Sequence, residues 1–259
     1  MTAAGAIPVP IVLILGGTSE ARELASRLDA RPGLRVVSSL AGRVRDPALP
    51  AGEVRIGGFG GADGLAAWLT DQHISAVIDA THPFAEGISA NAAVACGQTG
   101  IPLLRVIRPQ WTPGEGDTWY EARSLTEAAN LLSGLGRRVF LTTGRQGLAA
   151  FAPLRQTWFL IRCVDSPADP MPPQRQVILA RGPYDAAAER ALMRQHQIDV
   201  LVTKNSGGEL TAGKLAAARD LGIVVVMVSR PALAAAPSCP SVADAENWLL
   251  RQLHHSGEA

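Results

Sequence analysis

Short runs rich in β-branched and other apolar residues alternate along this chain with stretches whose apolar positions recur every three to four residues. The runs are Ile11–Leu15, Leu34–Ser39, Glu53–Ile56, Ile74–Ala80 and Leu103–Ile107. After a break come Val139–Thr142, Trp158–Cys163, Val177–Ala180, Asp199–Thr203 and Ile223–Val228. Several are apolar on successive residues, as strands of a parallel sheet covered on both faces must be. The stretches between them carry helix signals. Ala21, Leu24, Ala25 and Leu28 fall at i, i+3, i+4 and i+7, with Glu23 and Arg27 four apart on the outer face. Ser124 and Glu127 have capping-box spacing ahead of Leu125, Ala128, Ala129 and Leu132. Ser241–Leu253 reads as a last helix, with Val242, Ala245, Trp248 and Leu249 on one face. Strand alternating with helix predicts an α/β fold with mainly parallel sheets.

Two segments are punctuated, Arg108–Asp117 by proline and glycine and Asp165–Arg175 by four prolines. Either has the composition of a linker. The first divides the chain into two sets of five strands, which predicts two domains, 1–110 and 111–259, with segments free to cross between them. An internal echo supports the division. His73-Ile74 opens a strand reaching Thr81, followed by a helix, Gly100-Ile101 and Arg108-Pro109. Gln197-Ile198 opens a strand reaching Thr203, followed by a helix, Gly222-Ile223 and Arg230-Pro231. The loops after Ala80 and after Thr203 are then equivalent, at the carboxyl edges where open α/β sheets bind ligands.

Composition narrows the function classes. The 259 residues carry 24 Lys+Arg against 23 Asp+Glu, a formal net charge of +1, which lacks the basic excess of a nucleic-acid-binding surface. With 47% hydrophobic residues and no long charged tract, the chain has ample material for a core. No apolar run approaches the length of a membrane span, and Met1–Pro10 lacks the basic start of a secretion signal. Cys96, Cys163 and Cys239 are scattered, and the five histidines share no ligand spacing with them. The expectation is a cytoplasmic protein with no metal, nucleic-acid or membrane partner.

The first strand runs into Gly16-Gly17-Thr18-Ser19-Glu20-Ala21. Glycines at this turn let a phosphate approach the backbone, and the start of the following helix favours an anion. The full G-x-G-x-x-G pattern is absent. Folds that bind NAD usually place a carboxylate at the end of the second strand for the ribose 2′-hydroxyl. Here that region reads Ser38-Ser39-Leu40-Ala41-Gly42-Arg43, with hydroxyls and an arginine but no carboxylate, which favours NADP. Gly58 and Phe59, in the loop Gly57-Gly58-Phe59-Gly60-Gly61, are further cofactor candidates. Thr81 and His82, after the fourth strand, stand where a nicotinamide ring is expected, and His82 is the candidate catalytic residue.

In the second half, three strand-end loops are rich in donors and cations: Thr142-Thr143-Gly144-Arg145-Gln146, Arg181-Gly182-Pro183-Tyr184, and Lys204-Asn205-Ser206-Gly207-Gly208. Arginine can clamp a carboxylate in bidentate fashion and lysine serves as a point charge. Thr143, Gly144, Arg145, Gln146, Arg181, Lys204, Asn205 and Ser206 are therefore candidates for binding an anionic substrate with several carboxylates.

Six stretches together resemble the precorrin-6A reductase family of cobalamin biosynthesis: Leu13–Leu24, Gly57–Gly61, Ile78–Ala85, Val139–Gln146, Val177–Pro183 and Asp199–Gly208. They span nearly the whole chain in order. The resemblance implies an NADPH-dependent enzyme of two Rossmann-like domains with a cleft between them. It also implies reduction of a polycarboxylated tetrapyrrole, with hydride to C19 and a proton to C18, and hand-over of the macrocycle to neighbouring pathway enzymes. A relative of the anaerobic pathway acts on the cobalt-containing macrocycle. Two rival readings are an NADP-binding sensor without turnover, which leaves the cationic second edge unexplained, and an NADP-dependent reductase of another carboxylated small molecule.

Overall fold

The computed structural model describes residues 9–42, 48–168 and 170–256. All ten apolar runs are strands: β1 (Ile11–Leu15), β2 (Arg35–Leu40), β3 (Glu53–Ile56), β4 (Ile74–Asp79) and β5 (Leu103–Val106), then β7 (Arg138–Leu141), β8 (Trp158–Cys163), β9 (Arg175–Leu179), β10 (Val200–Lys204) and β11 (Val224–Val228). Two short strands escaped the pattern, β6 (Trp119–Ala122) and β12 (Ser238–Cys239). Both lie at sheet edges, where a strand needs no continuous apolar run. The helices are α1 (Ser19–Asp29), α2 (Ala62–Asp71), α3 (Glu86–Thr99), α4 (Leu125–Leu131), α5 (Ala186–Gln195), α6 (Gly213–Asp220) and α7 (Val242–Ser256). Among the described residues, no helix is long and apolar enough to cross a membrane.

The chain forms two compact units, each around its own parallel sheet. The first sheet has the order β12-β5-β4-β1-β2-β3 and the second the order β6-β11-β10-β7-β8-β9. The orders coincide when β1–β5 are matched with β7–β11. The echo seen in the sequence extends to the backbone: His73 and Gln197 both have φ of 51°, and Gly100 and Gly222 have φ of 71° and 64°.

The division departs from a single cut after residue 110. The second unit is Pro109–Pro231, and the described residues from Ala232 to Ser256 return to the first. The reason is burial. Val242, Ala245 and Leu249 of α7 complete a core with Ala21, Leu24, Ala25 and Leu28 of α1. Without α7 that face of α1 would lie open to water. Glu246 adds ionic links to Arg27 of α1 at 3.6 Å and to Arg31, just past the end of that helix, at 2.5 Å. The proline-rich segment Asp165–Arg175 lies within the second unit, between β8 and β9.

Local signals are largely kept. Thr18 caps α1, and Glu23 pairs with Arg27 at 2.6 Å. The Ser124 side chain accepts the Glu127 N–H, while the Glu127 carboxylate accepts from Arg123 N–H, one residue before the cap.

Candidate functional site

In the first sheet β1 leads to β2 on one side, while β4 lies on the other. The carboxyl ends of β1 and β4 therefore flank the topological switch point. A crevice there is lined by Thr18, Glu20, Ala80, Thr81, Pro83, Val106 and Arg108. Gly16 N–H donates to Ser39 O at 2.9 Å, joining the glycine turn to the end of β2. Gly17 has φ of +109°, and nothing lies within 4 Å of where its Cβ would stand. That open space is what a ligand lying on the backbone requires. Thr18 Oγ1 accepts from Ala21 N–H at 3.1 Å and donates its only proton to Ala80 O at 2.7 Å. A phosphate at this turn would thus meet the first N–H groups of α1 instead of the Thr18 proton.

Ser19 Oγ donates to Glu20 at 3.0 Å, and Arg108 Nη1 lies 2.8 Å from both Glu20 carboxylate oxygens. Burial acts to raise the Glu20 pKa. Arg108, the residue's own backbone N–H and Ser19 outweigh it and hold the carboxyl below its ordinary value. Arg108 thereby offsets a negative charge that would otherwise repel an anion at the start of α1.

At the next strand ends, Ser38 is 1% exposed and its hydroxyl is buried with no partner. Ser39 is also buried and meets the glycine turn through its carbonyl. Arg43 lies outside the described residues. The loop after β3 folds back on Arg55, which donates to Gly57 O and Gly58 O, both at 2.7 Å. The Arg55 guanidinium carbon stands 3.8 Å from the Phe59 ring centroid. Phe59 also packs edge-on to Trp68 at 5.4 Å, while Gly58 is exposed. Arg55 thus shapes the loop from within, a role that the glycine count alone does not reveal.

At the end of β4, Asp79 Oδ1 accepts from Thr81 Oγ1 at 2.6 Å and from Thr81 N–H at 3.2 Å. Its other oxygen accepts from Arg105 Nε at 3.1 Å. Arg105 also donates to Ala234 O and Ser89 O. Asp79 and Arg105 are 1% and 4% exposed, and sequence reasoning missed both. The available signal was a charge inside an otherwise apolar strand run, which demands a partner. His82 is exposed, and its Nδ1 accepts from Phe84 N–H at 3.2 Å.

The second unit brings its candidates to the carboxyl ends of β7, β9 and β10. Arg145, Gln146 and Arg181 are exposed there, and Gly144 has φ of +79° with open space at its Cβ position. Thr143 is buried and its hydroxyl has no partner. Burial pushes the Lys204 ammonium pKa below its usual value. Ser206 and Asn205 are buried. The Asn205 amide is engaged at both ends by the Trp111 backbone, accepting from N–H at 2.9 Å and donating to the carbonyl at 3.0 Å. The carbonyls of Asn205 and Ser206 accept from Arg230 at 2.8 and 3.1 Å. Two residues missed from sequence support this edge from inside. Arg162 of β8 pairs with Glu189 of α5, and its guanidinium carbon lies 3.6 Å from the Tyr184 ring centroid.

Comparison with known proteins agrees with this architecture. The family described as "Precorrin-6x reductase CbiJ/CobK" matches residues 11–250. A precorrin-6A reductase of Rhodococcus erythropolis is 57% identical over 239 residues, covering 92% of this chain and 96% of that protein. One of Mycobacterium tuberculosis is 53% identical over 241 residues, covering 92% and 96%. The solved structure "CobK precorrin-6A reductase" superimposes with a TM-score of 0.89 at 41% identity, covering 94% of this chain and 97% of that one.

Proposed function

The chain belongs to the precorrin-6x reductase family, and from that premise we propose that it reduces precorrin-6A to precorrin-6B in cobalamin biosynthesis, with NADPH as reductant. The observation that carries the cofactor half of this reading is the crevice at the switch point of the first sheet. Its residues suit a dinucleotide. The turn at Gly17 has space where a side chain would be, and the start of α1 offers backbone N–H groups to a pyrophosphate. No carboxylate stands in Ser38–Gly42 to meet a ribose hydroxyl, and Arg43 follows directly as the partner for a 2′-phosphate. NADPH, when bound, would supply a hydride that forms the new bond at C19, leaving the electron pair of the double bond at C18 to take up a proton.

The chain's own residues then bind, orient and protonate. Gly16, Gly17, Ser19 and the backbone of Thr18 and Glu20 hold the pyrophosphate, with Arg108 neutralising Glu20. Ser39, Gly58 and Phe59 border the adenosine end. Thr81 and His82 border the nicotinamide end, and His82 relays the proton that completes the reduction at C18. In the second unit Arg145, Arg181 and Lys204 hold substrate carboxylates, with Thr143, Gly144 and Gln146 beside them. Asn205 and Ser206 shape that loop through Trp111 and Arg230. Fixing the orientation of two reactants is a large part of what hydride transfer needs.

The test is anaerobic incubation of the protein with precorrin-6A and NADPH, following macrocycle absorption and product mass. A product two hydrogens heavier, formed with equal NADPH oxidation, supports the reading. NADPH binding without turnover would favour a sensor instead.

A further inference from the structure

We propose that Asp79 fixes the polarity of the Thr81 hydroxyl, so that Thr81 offers a hydrogen-bond acceptor in the crevice and selects a ligand bearing an amide N–H. This rests on the reading of the crevice as a nicotinamide site and names the group that Thr81 recognises there, the carboxamide.

A threonine hydroxyl has one proton and two acceptor positions. The Asp79 carboxylate is an acceptor only, and its Oδ1 lies 2.6 Å from Thr81 Oγ1, so the Thr81 proton is directed to Asp79. Ser89 Oγ, 3.3 Å from Thr81 Oγ1, takes at most one of the two acceptor positions. The other remains for a ligand in the crevice that Thr81 helps to line. Arg105 holds the second Asp79 oxygen through Nε and is itself anchored by Nη1 to Ala234 O and by Nη2 to Ser89 O, so the carboxylate cannot turn away. A rigid, half-buried acceptor discriminates against a ligand that brings no donor to it.

The second sheet provides an internal control. Asp79 and Arg105 are register partners on β4 and β5. The corresponding partners on β10 and β11 are Thr203 and Met227. The same sheet position is thus filled there without an ion pair. A buried pair of charges is often no more stabilising than apolar residues of similar volume. The second unit has a buried pair too, Arg162 with Glu189, but it lies elsewhere; at this strand-end position a pair is found in the unit that carries the cofactor crevice, which points to a task at Thr81.

The experiment compares dissociation constants, by calorimetric titration of the full chain, for NADP and for its 3-acetylpyridine analogue, in which a methyl ketone replaces the carboxamide. The unaltered protein should favour NADP by about tenfold, the worth of one well-made hydrogen bond. Thr81→Ser should keep that preference, and Thr81→Val should bring the ratio close to one while the analogue still binds. The double variant Asp79→Thr/Arg105→Met copies the second sheet, leaves no unpaired buried charge, and should also lose the preference. Retention of the ratio by Thr81→Val, or by the folded double variant, would overturn the proposal while leaving the cofactor reading intact. Failure of the unaltered protein to bind either dinucleotide would overturn both.

Discussion

Glu20 and Gly17 stand a few residues apart and respond to different stresses. The Glu20 carboxyl has an ordinary pKa near 4.5 and a lower one when folded, held down by Arg108 and Ser19 against the effect of burial. Folding therefore favours the ionised form. The contribution of the pair is complete above 4.5 and is lost as pH falls from there through the folded value. The Tm of Glu20→Gln should lie below that of the parent at pH 7, and the gap should narrow as the pH drops below about 4.5. Thermal melts across that range test this. At Gly17, φ of +109° strains any side chain. Gly17→Val should lower Tm by a few degrees and abolish NADPH binding, measured by nucleotide fluorescence. Arg43→Ala should weaken NADPH binding by roughly 10- to 100-fold while affecting NADH little, as loss of a charge-assisted contact would. Equal weakening of both nucleotides in a titration would remove Arg43 from the 2′-phosphate site.

At the scale of elements, α7 matters most. Its pattern of Val242, Ala245, Trp248 and Leu249 is legible as one apolar face, but that face would suit any complementary surface. In the structure Leu249 is fully buried in the core shared with α1, the helix whose first turn borders the crevice. Leu249→Ala should cost about 2–4 kcal/mol in urea unfolding, the usual range for a leucine truncated in a closed core. The strands tell the same story. The continuous apolar runs announced β1, β4, β7 and β10, whose residues are buried on both faces. β6 and β12 announced nothing, because an edge strand of four or two residues is defined by the neighbour it pairs with. That neighbour is distant in sequence: β6 pairs with β11, and β12 with β5.

For the molecule as a whole, two units with one strand order carry different chemistry at equivalent edges. The first offers a glycine turn and a helix start, the second Arg145, Arg181 and Lys204. If the edges serve different ligands, they should be separable by mutation. Arg145→Ala and Lys204→Ala should each raise the KM for the macrocycle by roughly tenfold, the effect of losing one charged contact, and leave the Kd for NADPH unchanged. Steady-state kinetics and nucleotide titration of the same samples decide it. Loss of NADPH affinity with macrocycle binding intact would reverse the assignment of the two units.

The amino-acid sequence by itself determined the α/β class, the ten principal strands, the duplication and the location of both candidate edges. It could do so because strand and helix periodicity, glycine turns and caps are local, encoded in residues a few positions apart. Only the tertiary structure decided which unit the described residues from Ala232 to Ser256 join, since α7 and β12 find their partners more than 100 positions away. It alone also decided what the polar residues do. Asp79 and Arg105 are 26 positions apart, Glu20 and Arg108 are 88, and Asn205 and Trp111 are 94. Each pair exists because folding brings donor and acceptor together in a place partly or wholly shielded from water, where an unmet hydrogen bond or charge is costly. No local pattern specifies such a meeting.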